Sequence, residues 1–351
     1  MKILIVKLSS LGDVVHAMPA IQDIRRALPG AQIDWVVERS LAPLVRCCAG
    51  VNRVIGCELR RWRNSPFSAL TRQDWRAFKT ELQLDAYDAV IDLQGLTKSA
   101  LVSWLARLTP NGRRYALANQ TEGSSYEAPT RWLADVAITL PMHCHAVARS
   151  RELCAHALAY QVPDLLSFGL LVPTGPAQSA IQSAVPARRA VVALVHGTSH
   201  ADKQWPLAHW RALGQRLNKY GYAVALPQGS DDEQKRAQDI ASVLTDAVVW
   251  PCLELDALTD ALTTCAGVVG VDSGLSHIAV ALDLAHVQIY NFDTAWRTGP
   301  IAPHSELVQG PQAGTHQCSV FAQPTPSVDA VWQAWLAVSN CAAASNVIAP
   351  L

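Results

Sequence analysis

Short unbroken apolar runs and longer stretches with an apolar residue every three or four positions take turns along this chain. The first run fills 3–8; after a break at 9–12, Val14, Val15, Met18, Ile21, Ile24 and Leu28 recur at helical spacing. That change of period predicts a strand over 3–8 and a helix over 13–28, kinked after its first turn by Pro19. The same reading gives strands at 33–37, 54–57 and 89–92, with helices at 41–47, 72–84 and 99–108. Between 112 and 137 the periodicity fails among Asn119, Gln120, Gly123, Ser124 and Ser125, and a long functional loop is expected there. A helix over 145–159 follows. Past residue 189 the alternation returns, with strands at 190–195, 223–226, 248–250, 267–271 and 287–290. A last helix over 328–338 has Ser327 as its cap and Trp332 and Trp335 to bury.

Continuous apolar strands separated by helices indicate an α/β fold with parallel sheets covered on both faces. Two such series in 351 residues predict two doubly wound, Rossmann-like domains facing a cleft. The expected division is a first domain over 1–165, a proline-rich linker over 166–188 and a second domain over 189–326. The helix and tail over 327–351 are expected to pack back toward the first domain. Half the residues are apolar, ample for two cores, and 29 basic residues balance 29 acidic ones. That balance argues against a nucleic-acid binder working through bulk charge, so any electrostatic recognition must be local. Nine scattered cysteines with no Cys-x-x-Cys pair read as reduced cytosolic thiols. The opening Met1–Lys7 segment, broken by lysine, reads as a strand and not a signal peptide, and no apolar stretch approaches the roughly 20 residues of a membrane span. A soluble cytoplasmic protein able to work at a membrane surface is the expectation.

In doubly wound folds ligands bind at the carboxyl ends of the strands, so the strand-to-helix loops carry the chemistry. In Lys7-Leu-Ser-Ser-Leu-Gly12-Asp13, Asp13 stands where a helix begins. On local sequence a helix cap is the commoner meaning; a general base at a cleft edge is the other, and the two are compatible. The loop from Val195 through Thr198, Ser199 and Lys203 to Pro206 offers hydroxyls and an ammonium to a phosphate, or is a polar turn, without the spacing of a Walker loop. In Asp272-Ser273-Gly274-Leu275-Ser276-His277 an apolar strand passes into an apolar helix whose first N–H groups form a natural anion site. His277 there reads equally as a structural histidine. Glu233, beyond the strand at 223–226, either takes ribose hydroxyls or is a solvated helix start.

Taken in order, these pieces resemble the ADP-heptose:lipopolysaccharide heptosyltransferases, most closely heptosyltransferase I. The matching segments are Lys7-Leu-Ser-Ser-Leu-Gly-Asp13-Val-Val-His16-Ala-Met-Pro19, Arg60-Arg61-Trp62-Arg63, Tyr87 through Asp92-Leu-Gln94-Gly95 to Ser99, His145-Ala-Val, Lys203-Gln-Trp205-Pro206 and Asp272-Ser-Gly-Leu-Ser-His277. The resemblance spans nearly the whole chain and implies the two-domain, inverting GT-B architecture. It places the catalytic base on Asp13. It places the donor-diphosphate contacts on Thr198, Ser199, Lys203 and the Ser273, Gly274 and Leu275 backbone, with His277 beside them. It gives the ribose contact to Glu233 and the heptose contact to Asp272. Arg60, Arg61, Arg63 and Lys98 become the basic group for an acidic Kdo–lipid A acceptor, at the cytoplasmic face of the inner membrane. Ser199 stands where the family usually has a second threonine, with the hydroxyl kept; 112–137 matches poorly, so Arg113 and Arg114 are left out of the site.

The implied chemistry is attack of a Kdo hydroxyl on the anomeric carbon of ADP-heptose, with Asp13 taking the proton and Lys203 and its neighbours meeting the charge on the departing ADP. No Asp-x-Asp motif occurs, and neither a cofactor nor a metal is expected to be required. Closure of the two domains would exclude water. Three rivals stand beside this reading: heptosyltransferase II or another relative with a different acceptor, a sugar-nucleotide epimerase of the same fold, and a non-catalytic sugar-nucleotide or lipopolysaccharide binder. Heptosyltransferase II usually opens on a Gly-Pro-Ser-Trp-x-Gly-Asp loop, which this chain lacks.

Overall fold

The computed structural model describes residues 1–171, 189–301 and 315–348, with side chains of the last helix as far as 342. Contacts divide the chain into Met1–Leu171 and Val172–Leu351, a boundary inside the expected linker. Most of that linker, 172–188, and the tail at 349–351 lie outside the described residues.

The first unit holds strands β1 (Lys2–Val6), β2 (Gln32–Glu38), β3 (Val51–Cys57), β4 (Ala86–Asp92), β5 (Arg107–Leu117) and β6 (Val136–Ile138). They form one sheet in the order β3-β2-β1-β4-β5-β6, each neighbouring pair parallel. The second unit repeats the design with β7 (Val191–Val195), β8 (Ala223–Leu226), β9 (Ala247–Val249), β10 (Gly267–Val271), β11 (His286–Tyr290) and β12 (Gln317–Phe321). Its order is β12-β11-β10-β7-β8-β9, again parallel throughout. Counted from its own first strand, each unit reads 3-2-1-4-5-6. The order therefore reverses beside β1 and β4 in one unit and beside β7 and β10 in the other. Those are the crevices where doubly wound sheets bind ligands.

Strands buried on both faces have no polar side to show, which is why their sequences are continuous apolar runs. Every residue of β8, β10 and β11 is buried. The helix Leu11–Ala27 runs through Pro19, and its N-cap is Ser10, not Asp13. The stretch 112–137, expected to be a loop, instead contains most of β5, the helix Pro129–Leu133 and the start of β6. Its pattern was hidden because Pro110-Asn111-Gly112 sit where the pairing of β4 and β5 shifts register. A Cβ at Gly112 would collide with the Tyr87 carbonyl oxygen, so the bulge requires glycine there.

The final helix, Val328–Ile348, is longer than the 328–338 expected, and Ser327 Oγ accepts the Ala330 N–H at 3.2 Å as its cap. Trp332 and Trp335 join the core of the second sheet, and the helix packs on β11 and β12. The helix is thus built into the core of the second unit. Gly267 permits the approach, since a Cβ there would lie 2.8 Å from the Trp335 ring. Among the described residues no helix is long and apolar enough to cross a membrane.

Candidate active site

In the first unit, β1 and β4 deliver two loops to the same crevice. Lys7, one residue past β1 and 2% exposed, points its Nζ to the Leu93 carbonyl at 3.0 Å and to Asp13 Oδ1 at 3.4 Å. Asp13 occupies the third position of its helix, and its Oδ2 accepts the Ser10 N–H at 3.1 Å and the Ser10 hydroxyl at 2.9 Å. Arg149 Nη2 approaches the other carboxylate oxygen at 3.7 Å. Burial pushes the Asp13 carboxyl up, but Lys7, Arg149 and the two Ser10 hydrogen bonds outweigh it and hold it down to about 2. Asp13 is therefore a capping carboxylate, half-buried and held in its ionised form, which bears out the cap reading of the sequence.

The loop is braced from behind. Gln94 Oε1 accepts the N–H groups of Leu8 and Ser9, each at 3.1 Å. Asp92, at the end of β4 and 1% exposed, accepts the Gln94 and Gly95 N–H groups at 2.9 and 3.2 Å. Burial pushes the Asp92 carboxyl up to about 6 against those hydrogen bonds. Arg149 arrives on the helix Ala146–Leu158, whose cap is His145, its Nδ1 accepting the Val147 N–H at 3.1 Å. The Arg149 guanidinium also donates to Thr121 Oγ1 at 3.1 Å, which ties the 118–128 loop to the same place.

The basic residues fall into separate groups. Arg60 and Lys98 both bear on the Glu38 carboxyl, which burial pushes up and they draw down, and Lys98 Nζ lies 3.5 Å from Ser9 Oγ. Lys98 thus reaches the Asp13 loop, while Arg60 stays with Glu38. Arg61 instead pairs with Glu58 at 2.6 Å and with Asp74, while Arg63 is exposed. Arg114 serves structure: it donates to the carbonyls of Ser103, Trp104 and Ala106 at the end of the helix Thr97–Leu105.

In the second unit the equivalent crevice lies past β7 and β10. Asp272, one residue beyond β10, receives Lys203 Nζ on Oδ2 at 2.7 Å. On Oδ1 it meets His277 Nε2 at 3.3 Å, and Gln288 Nε2 and Thr298 Oγ1 at 3.4 Å each. Burial raises the Asp272 carboxyl, but His277 and Lys203 outweigh it and hold it well below the usual carboxylate range. Thr198 Oγ1 donates to the Asp272 carbonyl at 3.4 Å. Ser273 caps the helix Gly274–Ala281, whose first intrahelical bond is made by the His277 N–H. The N–H groups of Ser273, Gly274 and Leu275 precede that bond, and Ser273 Oγ is buried without a hydrogen-bond partner among the described residues. A positive helix end, an ammonium and a buried hydroxyl side by side are groups suited to an anion.

The 201–205 loop that carries Lys203 is clamped on both sides. Asn291 Nδ2 donates to the Asp202 and Gln204 carbonyls at 2.9 and 3.0 Å, and Arg236 donates to Gln204 Oε1 and the Trp205 carbonyl at 2.7 and 2.8 Å. Ser199 is exposed beside Thr198. Glu233 accepts the Gly229 N–H at 2.8 Å and lies against Gly197, where a Cβ would collide with its carboxylate. Of the predicted residues, Asp13 and Lys98 meet at the first unit's strand-reversal point and Thr198, Lys203, Asp272 and His277 at the second's, whereas Arg61 and Arg63 lie apart. Arg149, Thr121, Gln288, Thr298 and Asn291 were missed, because each reaches its crevice from a separate element and has no local signature.

A two-unit α/β chain with a carboxylate held ionised in one crevice and groups suited to an anion in the other fits a transferase acting on a nucleotide-activated substrate. The chain belongs to glycosyltransferase family 9 (heptosyltransferase), whose family model matches residues 75–326. It is 38% identical over 297 residues to lipopolysaccharide heptosyltransferase 1 of Pseudomonas aeruginosa, covering 83% of this chain and 78% of that one. Against lipopolysaccharide heptosyltransferase 1 of Escherichia coli K12 it is 37% identical, covering 83% and 88%. Identity to the E. coli K12 lipopolysaccharide heptosyltransferase 2 falls to 25%. Among solved structures, E. coli heptosyltransferase WaaC with ADP superposes with a TM-score of 0.77 at 33% identity, covering 95% of this chain and 98% of the other.

Proposed function

We propose that this glycosyltransferase moves heptose from ADP-heptose to the Kdo of a lipid A acceptor, with inversion at the anomeric carbon, at the cytoplasmic face of the inner membrane. The observation that carries the reading is the Lys203–Asp272–His277 cluster at the N-terminus of the helix Gly274–Ala281, in a chain similar to the type 1 enzymes along most of its length. Lys203, Thr198, Ser199, the Ser273 hydroxyl and the first-turn N–H groups meet the charge that grows on the departing ADP. Glu233, beside Gly197, takes the ribose hydroxyls, and Asp272 orients the sugar. Asp13 accepts the proton of the attacking hydroxyl, while Arg60, Arg63 and Lys98 gather the acidic acceptor; Arg61, already paired, shapes the turn instead. These fixed cations take the place of a divalent ion.

Measuring ADP release from ADP-heptose, with and without a heptose-free Kdo–lipid A acceptor, tests this. Release that depends on the acceptor and persists in EDTA is expected. Release without acceptor would instead indicate an epimerase or hydrolase, and none at all a binding module. Loss of activity in EDTA that magnesium restores would overturn the metal-free part.

A further inference from the structure

The first unit is unevenly clothed. Leu59–Asn64, Ala69–Leu82 and Thr97–Leu105 share one core through Trp62, Phe78, Leu82 and Val102, and Pro129–Leu133 packs beside the third of these helices. Large apolar side chains stand outward from this single layer: Phe67 is 89% exposed, Trp132 68% and Trp104 54%, with Leu70 and Leu101 also exposed. Leu101 and Trp104 lie one turn apart on the outer stripe of their helix, whose inner positions are buried. Phe67 follows Pro66 in the turn between Leu59–Asn64 and Ala69–Leu82, a hairpin pinned from beneath by Trp62, Trp75 and Phe78, whose ring centroids lie 5.4–5.8 Å apart. The turn is thus firmly held while its tip offers a phenyl ring to solvent.

The charge of the layer is also selective. The chain is neutral overall, yet 58–82 carries six Lys or Arg against three Asp or Glu. Two of those acids, Glu58 and Asp74, are both occupied by Arg61. Arg72 and Arg76 are exposed on the outer side of Ala69–Leu82, and the Arg131 guanidinium lies 5.9 Å over the Trp132 ring. A protein partner would favour an apolar centre depleted of charge. Tryptophan and phenylalanine interspersed with arginine match a bilayer interface, where rings enter the headgroup zone and cations meet anionic lipid.

We propose that this helical layer is a docking face for an anionic lipid bilayer, with Phe67, Trp104 and Trp132 inserting and Arg72 and Arg76 paired to headgroups. It rests on the lipid-linked acceptor of the function proposed above, and would hold the acceptor-binding arginines against the surface from which that acceptor projects.

The test is co-sedimentation of the whole chain with vesicles of phosphatidylethanolamine and phosphatidylglycerol, against vesicles of phosphatidylcholine alone. Wild type should bind the first, release as salt rises, and largely ignore the second. A Phe67→Ser/Trp104→Ser/Trp132→Ser protein with unchanged circular dichroism should partition at least about tenfold less. Arg72→Gln and Arg76→Gln should each cost about fivefold. Transfer to an acceptor stripped of its acyl chains should be unchanged in all of these variants. Wild-type indifference to anionic vesicles, equal binding to phosphatidylcholine, or a folded triple variant that sediments like wild type would each overturn the proposal. So would a dimer, seen by light scattering, that the triple variant dissolves while vesicle binding is absent. Vesicle binding without any transfer would sink the transferase reading and leave the docking face standing.

Discussion

Between Lys7 and Arg149, the Asp13 carboxylate is ionised at neutral pH. As the proposed base, a carboxylate held at about 2 is weak, and its use would lie in where it stands when the acceptor hydroxyl becomes acidic in the transition state. Asn at this position can still accept the Ser10 N–H, so the helix start survives, but it cannot take a proton. Asp13→Asn should fold, bind ADP and lose about 10²–10⁴-fold in kcat; turnover like wild type would reduce Asp13 to a cap. Arg149 is a positioning residue in this scheme. With Arg149→Leu one of the two cations opposing burial is gone, so the Asp13 carboxyl rises and the acid limb of the kcat profile should move to higher pH. A profile superimposable on wild type would show that the 3.7 Å contact does no electrostatic work.

At the scale of elements, two glycines separate folding from binding. Gly270 lies in β10, where a Cβ would collide with Ser276 Oγ and stand 2.9 Å from Val195 Cβ on β7. Gly270→Ala should cost about 1–3 kcal/mol in denaturant titrations, because two buried elements must part. At Gly197 the collision is with the movable end of Glu233, so Gly197→Ala should leave stability nearly unchanged while raising the KM for ADP-heptose. A matching loss of stability in both would refute the distinction. The strands that neighbour these glycines were legible because burial on both faces leaves an unmistakable apolar run, and β8 and β10 were predicted to the residue. β5 was not, since it has an exposed, bulged middle around Gly112. β12, five residues with a serine at its centre, offered too little signal. The site divides likewise: loops with consecutive chemistry, such as Asp272 to His277, announced themselves, whereas Arg149 lies 136 positions from the carboxylate it serves.

For the molecule as a whole, the two identical strand orders mean that each half has one natural crevice, and the braces behind them enter the stability of the fold. Asp92 is the clearest case. Its folded carboxyl, pushed up to about 6, lies above its unfolded value, so the native state binds the extra proton. Its stabilising contribution is complete below about pH 4 and is lost as pH rises through about 6, a difference of roughly 3 kcal/mol. Asp13 has the opposite sign: depressed to about 2, it stabilises above its unfolded value and is lost only in strong acid. Chemical denaturation at a series of pH values should therefore show stability falling between about pH 4 and 6 in wild type, and a flatter trend in Asp92→Asn. Parallel curves would mean that Asp92 stays ionised in the fold.

The clamp on the Lys203 loop also has an optical side. Trp205 follows the lysine by two residues, is fully buried, and donates its indole N–H to the Pro326 carbonyl at 2.8 Å. Its ring meets that of Trp210 edge to face, centroids 4.9 Å apart and planes at 86°. Two indoles fixed so closely and so nearly perpendicular couple their transition dipoles, which gives a chiral signal in the near ultraviolet that depends on their mutual angle. The loop proposed to grip the diphosphate thus ends in its own chromophore. ADP settling on Lys203 should alter the near-ultraviolet circular dichroism of the chain, while an acceptor lacking nucleotide should leave that band unchanged.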